Sequence, residues 1–191
     1  MSDIFVDNIK HQSSQGSGTI TLGASGETIT TASGAKFSGI TGQNYPAFEA
    51  CLSATQNVSD AVFAKAQIDT EVFDTDNCYD NSTNYRFTPT VAGKYFVYGR
   101  LMTRAGATSL SNGIVEIRKN GSVYLRQQGD FNSNYIDNLC IEVTAVVDMN
   151  GSSDYVELWG RTDTTGGTSE FYGASGLTYK FTGFGAYRIG S

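Results

Sequence analysis

Apolar and polar residues alternate in short runs through residues 43–191, and these runs end at Gly, Asn, Asp or Pro. A period of two is typical of antiparallel strands with one packed face and one solvated face. The pattern predicts strands at 47–54, 61–68, 85–88, 93–103, 113–119, 122–128, 139–148, 154–161 and 177–189. Short strands in such a series predict an all-β fold, either a sandwich or a jelly roll.

Three Asn-Gly dipeptides mark candidate hairpin turns, at Asn112-Gly113, Asn120-Gly121 and Asn150-Gly151. Type I′ turns need positive φ at both central residues, and Asn and Gly adopt it most readily. The sequence therefore predicts hairpin turns at all three places. The clearest hairpin pairs 113–119 with 122–128 around Asn120-Gly121.

The first fifteen residues form a short segment of mixed character. It carries a small apolar group that consists of Ile4, Phe5, Val6 and Ile9. A segment of this size cannot form a core alone, so it is either a frayed terminus or an attachment segment that orders against a partner.

Residues 16–42 contain a repeat of eight residues, in the blocks 19–26, 27–34 and 35–42. Each block ends in Gly and places a β-prone triplet before small residues. Repeats this short cannot bury a face within one chain, so neighbouring chains would have to cover them. The segment is therefore a candidate shaft, and a flexible Gly/Ser/Thr linker is the alternative.

Composition narrows the class of protein further. The net charge of -6 argues against a nucleic-acid or anionic membrane partner, because both require a basic patch. Cys51, Cys78 and Cys140 are odd in number and widely spaced, which favours free thiols over a disulfide framework or a zinc site. No apolar run has the length of a signal peptide or a membrane span.

Few residues are available for catalysis or metal binding. His11 is the single histidine, so no His-dependent triad fits within residues 43–191. The sequence therefore predicts a protein that is not an enzyme and has no cofactor. Asp74, Asp76 and Asp80 could hold Ca²⁺, but the Gly and Glu spacing of an EF-hand is absent, which favours a structural loop.

Three tracts rich in Ser, Gly, Asn, Thr and Tyr are candidate recognition loops, at 103–113, 129–138 and 162–176. Their aromatic residues could anchor a ligand by stacking on a sugar face. These anchors would be Phe131, Tyr135, Phe171 and Tyr172. Ordinary connections between strands are an equally good interpretation.

Six pieces of the chain, in order, resemble the C1q-like family, which has a TNF-like jelly-roll fold. They are Ala47-Phe48 with Leu52-Ser53, Val72-Phe73-Asp74 with Tyr79-Asp80, Arg86-Phe87-Thr88-Pro89 with Val91 to Phe96, Ile117 to Gly121, Asp154 to Trp159, and Phe181-Thr182-Gly183-Phe184. The family's collagen stalk is missing, and the eight-residue blocks stand in its place.

The resemblance implies a homotrimer that buries apolar side chains along a three-fold axis. It makes Tyr95, Val97, Trp159 and Phe184 candidates for the oligomer interface or the core. In strand 93–103, Tyr95 and Val97 point to one side and Phe96 and Tyr98 to the other, so both faces are apolar. One face fills the sandwich, and the other belongs at an interface. We expect Tyr95→Asp to separate the subunits.

The N-terminal stretch resembles the first residues of marine bacteriophage tail-fibre and other virion proteins. The matching pieces are residues 1–12 and the Gly-Thr-Ile-Thr-Leu-Gly-Ala-Ser-Gly-Glu-Thr-Ile-Thr run at 18–30. This resemblance implies a phage protein that is assembled in the host cytoplasm and exposed on the virion surface.

Together these features predict a non-enzymatic, homotrimeric virion appendage. Residues 1–15 would attach it to other virion proteins, 16–42 would form the shaft, and 43–191 would form a C1q-like head. The head would bind a host-surface glycan or protein, or a neighbouring subunit. A capsid decoration or cement protein and a bacterial C1q-like lectin or adhesin are the alternatives.

Overall fold

The computed structural model of the chain describes residues 44–106, 109–131, 136–174 and 180–190. All of them belong to the compact unit that spans Ile40–Ser191. The predicted attachment segment and shaft lie outside the described residues. Across the described ranges, no helix is long and apolar enough to cross a membrane.

The described residues form thirteen strands and no helix, so the all-β prediction is confirmed. The strands are β1 (Ala47–Cys51), β2 (Gln56–Val58), β3 (Ala64–Lys65), β4 (Thr70–Asp74), β5 (Tyr79–Asp80), β6 (Arg86–Phe87), β7 (Gly93–Ala105), β8 (Leu110–Lys119), β9 (Ser122–Asp130), β10 (Asn138–Met149), β11 (Val156–Thr164), β12 (Ser169–Phe171) and β13 (Gly183–Gly190).

The strands form two antiparallel sheets. The seven-stranded sheet has the order β2-β12-β7-β13-β1-β4, and β10 pairs with the other edge of β7. The six-stranded sheet has the order β5-β6-β11-β8-β9, and β3 also pairs with β11. The apolar faces of the two sheets pack together in one core, as the predicted sandwich requires.

Aromatic rings from both sheets meet in the core. Phe48 stacks on Tyr79 and Phe87, with ring centroids 4.4 Å and 4.6 Å apart, and meets the edge of Phe184 at 5.2 Å. Tyr95 packs against Phe87 at 5.7 Å, and its hydroxyl donates a 2.6 Å hydrogen bond to the Val91 carbonyl. Stacked and edge-on pairs of this kind add stability beyond the buried area.

The turn predictions have different outcomes. Asn120 and Gly121 have φ of +51° and +79°, so the predicted hairpin turn between β8 and β9 is confirmed. The prediction for Asn112-Gly113 is wrong, because both residues lie inside β8. The glycine serves packing there, since a Cβ at Gly113 would lie 2.6 Å from the Thr103 hydroxyl. Gly151 has a φ of +69°, but the predicted hairpin turn at Asn150-Gly151 is wrong, because β10 and β11 lie in different sheets.

The acidic loop between β4 and β6 is held together by its own carboxylates. Asp80 accepts hydrogen bonds from the backbone of Thr83, Ser82 and Asn84, and these hold the pKa of Asp80 well below its usual range. Asp74 likewise accepts from two backbone N–H groups of the loop. In the described part of the chain, no three His, Cys, Asp or Glu side chains are grouped to hold a metal ion.

Candidate self-association surface

The outer side of the seven-stranded sheet carries a row of aromatic side chains. Tyr95 and Val97 of β7 point into the core, so Phe96 and Tyr98 point outward. Tyr187 of β13 lies directly opposite Phe96, and the two ring centroids are 5.4 Å apart. The rings of Phe96 and Tyr98 are 6.3 Å apart.

Two exposed apolar side chains extend this row on both sides. Val146 of β10 lies opposite Phe96 and is 49% exposed, and Phe73 of β4 lies opposite Glu49 and is 45% exposed. Tyr187 is 36% exposed. We call Phe96, Tyr98, Tyr187, Val146 and Phe73 the aromatic face. Exposed apolar side chains grouped on one side of a sheet cost free energy in water, which makes this face a candidate interaction site.

Gly185 permits the arrangement of the aromatic face. It lies opposite Tyr98 in the ladder of β7 and β13, and a Cβ at Gly185 would lie 2.3 Å from the Tyr98 ring. The ring therefore lies flat over the glycine. Burial raises the pKa of Tyr98 to about 12, and the nearby Glu49 carboxylate adds to this rise.

The outward residues of β7 and β10 form successive levels along the two strands. The opposed pairs are Lys94 with Asp148, Phe96 with Val146, Tyr98 with Thr144, Arg100 with Glu142, Met102 with Cys140, and Arg104 with Asn138. Lys94 and Asp148 form an exposed ion pair of 3.6 Å. The two levels that contain Phe96 and Tyr98 thus lie between two charged levels on this side of the sheet.

A shallow cavity of about 190 Å³ lies beside the aromatic face. Its polar lining comes from Glu49, Tyr98, Arg100, Glu142, Thr144 and Lys180. Lys180 pairs with Glu49 at 2.6 Å, and Arg100 donates to the backbone carbonyl of Lys180. The cavity therefore places two cations and two carboxylates on the same outer surface.

The edge strand β9 is a second exposed apolar surface. Its side chains Val123, Tyr124 and Leu125 are all substantially exposed. The Tyr124 hydroxyl donates a 2.8 Å hydrogen bond to the Val146 carbonyl of β10, so β9 and β10 lie side by side across the two sheets. Exposed apolar edge strands are sites of pairing or docking with another chain.

The outer side of the six-stranded sheet is covered by its own residues. Glu116 is fully buried there and pairs with the guanidinium groups of Arg118 and Arg126. The Arg118 guanidinium lies 4.1 Å from the centroid of the Trp159 ring. The indole N–H of Trp159 donates a hydrogen bond to the Glu157 carboxylate. Buried charges need such pairing. This surface offers no comparable apolar row among the described residues.

The structure separates the four predicted interface or core residues. Tyr95, Val97 and Phe184 lie in the core between the sheets. Trp159 lies outside that core, half-buried on the outer side of the six-stranded sheet. The residues that β7 contributes to the aromatic face are instead Phe96 and Tyr98, which alternate with Tyr95 and Val97. They are the residues that the alternation placed on the second apolar side.

The structure also separates the predicted ligand anchors. Phe171 lies in β12 and is fully buried in the core, so it cannot anchor a ligand and its prediction is wrong. Tyr172 is half-buried, and its ring packs on Phe181 at 5.2 Å and under the Arg104 guanidinium at 4.3 Å. Phe131 is half-buried at the end of β9.

Tyr135 and the attachment residues lie outside the described residues, so their roles stay predictions. The residues in question are Tyr135 and Ile4, Phe5, Val6 and Ile9.

Cys51 and Cys78 are buried free thiols, and Cys140 is a free thiol on the exposed side of β10.

The solved structures with a similar fold are jelly-roll domains. The globular domain of zebrafish complement 1qA protein matches with a TM-score of 0.53 and 16% identity, covering 75% of this chain and 97% of that one. Murine APRIL at pH 5.0 has a TM-score of 0.48 and 10% identity, over 74% and 97% of the two chains. No protein-family model and no curated protein sequence matches the chain. The zebrafish match, although distant in sequence, shows that the described residues have the C1q/TNF-like jelly-roll fold predicted from the sequence.

Proposed function

We propose that the chain is a non-enzymatic binding or building module that works as a homotrimer, with its subunits associated through the aromatic face. The observation that carries this proposal is the pair Phe96 and Tyr98, which lie outside a sheet whose inner side is already fully packed. In a lone subunit these rings are half-buried, and the rest of their apolar surface would face water. A second copy of the same chain provides the apolar surface that covers them.

The exposed apolar residues of β9 supply that complementary surface. The aromatic face and the β9 edge are two different patches of one subunit, so contact between them is heterologous. Heterologous contacts close into a ring when the rotation that relates neighbouring subunits divides a full turn into a whole number of equal steps. The resemblance to the C1q-like family favours a ring of three.

Footprinting by hydroxyl radicals tests both halves of this contact in the full-length protein. In the assembled protein we expect Tyr187 and Tyr124 to react slowly, although both are well exposed in the single subunit. Tyr155 is the control, because it packs under Arg86 next to the six-stranded sheet. Full reactivity of Tyr187 and Tyr124 at concentrations where an oligomer is present would place the interface elsewhere.

The Tyr98 ring should depend on Gly185 for its position in the interface. Gly185→Val is expected to push the ring outward and to weaken association about tenfold, which corresponds to about 1.4 kcal/mol. Gly190→Val in the same strand is the matched control, because a Cβ there meets nothing within 4 Å. Sedimentation velocity over a range of concentrations measures both variants. Equal association of the two variants would remove Tyr98 from the contact.

The place of the trimer is proposed to be the surface of a bacteriophage virion. The support comes from the N-terminal resemblance to virion proteins and from a head fold that suits binding rather than chemistry. Residues 1–15 would attach the trimer, and the repeat of 16–42 would join it to a head that binds the host surface or neighbouring subunits.

Immunogold labelling of phage particles with an antibody against the purified chain tests this location. Label at tail tips supports a fibre that recognises the host. Label spread over the capsid supports a decoration or cement protein. Label on bacterial cells alone would contradict a virion protein and favour a lectin or adhesin.

A further inference from the structure

Arg100 of β7 and Glu142 of β10 lie directly opposite each other on the outer side of the seven-stranded sheet. They form the charged level below Tyr98 and Thr144. Opposite charges in this position normally form a cross-strand ion pair within the chain. Within the described residues, however, no ion pair joins the Arg100 and Glu142 side chains.

The Arg100 guanidinium is directed towards β13 instead. One of its terminal N–H groups donates to the Lys180 carbonyl, while its Nε is buried and has no hydrogen-bond partner. It is the single buried side-chain nitrogen or oxygen without a partner among the described residues. The Nε itself is enclosed within the subunit, but the Arg100 side chain lines the cavity and forms no ion pair with any described residue, so a carboxylate from outside the subunit can reach the guanidinium through the cavity.

Glu142 provides an acceptor of the required kind. Its side chain is exposed, and no hydrogen bond or ion pair engages its carboxylate within the described part of the chain. The other carboxylate of the cavity, Glu49, is already bound to Lys180 at 2.6 Å. One donor group and one carboxylate therefore remain at this level of the surface.

Three-fold symmetry gives these two groups a way to meet. Rotation about an axis leaves the height along that axis unchanged. If the axis runs along β7 and β10, each level of the ladder meets the same level of the neighbouring copies. The Arg100 and Glu142 level of one subunit then meets the Arg100 and Glu142 level of the next subunit.

We propose that Glu142 of each subunit enters the cavity beside Arg100 of the next subunit and pairs with its guanidinium. The proposal rests on the proposed self-association and adds a specific contact to it. The cavity of about 190 Å³ accommodates a carboxylate side chain, and Thr144 in its lining adds a hydroxyl donor. Arginine and glutamate would alternate around the axis, so only the correct rotation of the subunits satisfies all of the charges.

Charge reversal in the full-length protein tests the pair. Arg100→Glu and Glu142→Arg are each expected to raise the dissociation constant of the assembly at least tenfold, because all charges at this level then have one sign. The double variant Arg100→Glu/Glu142→Arg is expected to return to within about threefold of the wild type. Sedimentation velocity across concentrations gives the three constants.

The double variant also controls for misfolding, since damage to the fold would add up in it rather than disappear. Arg86→Glu is the charge-matched control on the six-stranded sheet, and we expect it to associate like the wild type. Single variants that associate as tightly as the wild type would overturn the pair but leave self-association standing. A double variant as weak as Arg100→Glu would assign another acceptor to Arg100. A monomeric wild type would instead refute the proposed function itself.

Discussion

Phe96→Asp is expected to leave the subunit folded and to abolish its self-association. Phe96 is central to the aromatic face, between Tyr187 on one side and Val146 on the other. In a single subunit the carboxylate would point into water, so the fold loses little. In an assembly three carboxylates would be buried against apolar side chains without partners, which costs several kcal/mol per subunit.

Light scattering after size exclusion, together with circular dichroism, measures both parts of this result. The variant should elute as a monomer with the β-sheet spectrum of the wild type. Tyr155→Asp is the matched control, because Tyr155 is also half-buried but lies next to the six-stranded sheet. An assembly of Phe96→Asp with the wild-type mass would show that the aromatic face is not the interface.

Phe48→Ala is expected to have the largest effect on the stability of the subunit. The Phe48 ring is fully buried and contacts Tyr79, Phe87 and Phe184, which come from three other strands. Removing it leaves a cavity that the surrounding rings cannot fill, with a cost of about 3–5 kcal/mol. Such a loss is a large part of the roughly 5–15 kcal/mol by which a domain is stable.

Urea denaturation of monomers is the cleanest measurement of this loss, because dissociation does not then contribute. We would therefore introduce Phe48→Ala into the Phe96→Asp protein. Phe73→Ala in the same background is the control, with an expected change under about 1 kcal/mol, because Phe73 is exposed. Similar midpoints for the two variants would contradict the assignment of the core.

The two faces of β7 illustrate what the sequence could and could not predict. Alternation identified two apolar sides and required that one of them be covered by something outside the sandwich. It could not decide which side was inside, because that depends on the distant strands that pack against β7. The structure buries Tyr95, so Tyr95→Asp should unfold the subunit rather than separate subunits, and we propose that Phe96 takes the role expected of Tyr95.

The remaining differences have similar causes. Asn-Gly is a strong local turn signal, yet the role of Gly113 is to give space to a side chain of β7. Phe171 belongs to a strand of three residues, which is too short for periodicity to distinguish from a loop. The buried Nε of Arg100 depends on the pairing of β7 with both β10 and β13, which no local pattern reveals.

The main strands were predictable because each alternates over enough residues. The strand starting at Gly93 and the Asn120-Gly121 hairpin lie where the pattern placed them. The closing strand was predicted to start at 177, but in the structure it spans Gly183–Gly190. The aromatic face was predictable only in part, since Phe96 and Tyr98 are neighbours in sequence while Tyr187 and Val146 join them through the sheet.

The solution mass of the full-length chain tests the central claim most directly, because the account depends on three copies meeting through the aromatic face. Sedimentation equilibrium should give three times the 20.5 kDa of one chain for the wild type, and 20.5 kDa for Phe96→Asp. A wild type that stays monomeric at high concentration, or a Phe96→Asp variant that remains trimeric, would contradict it.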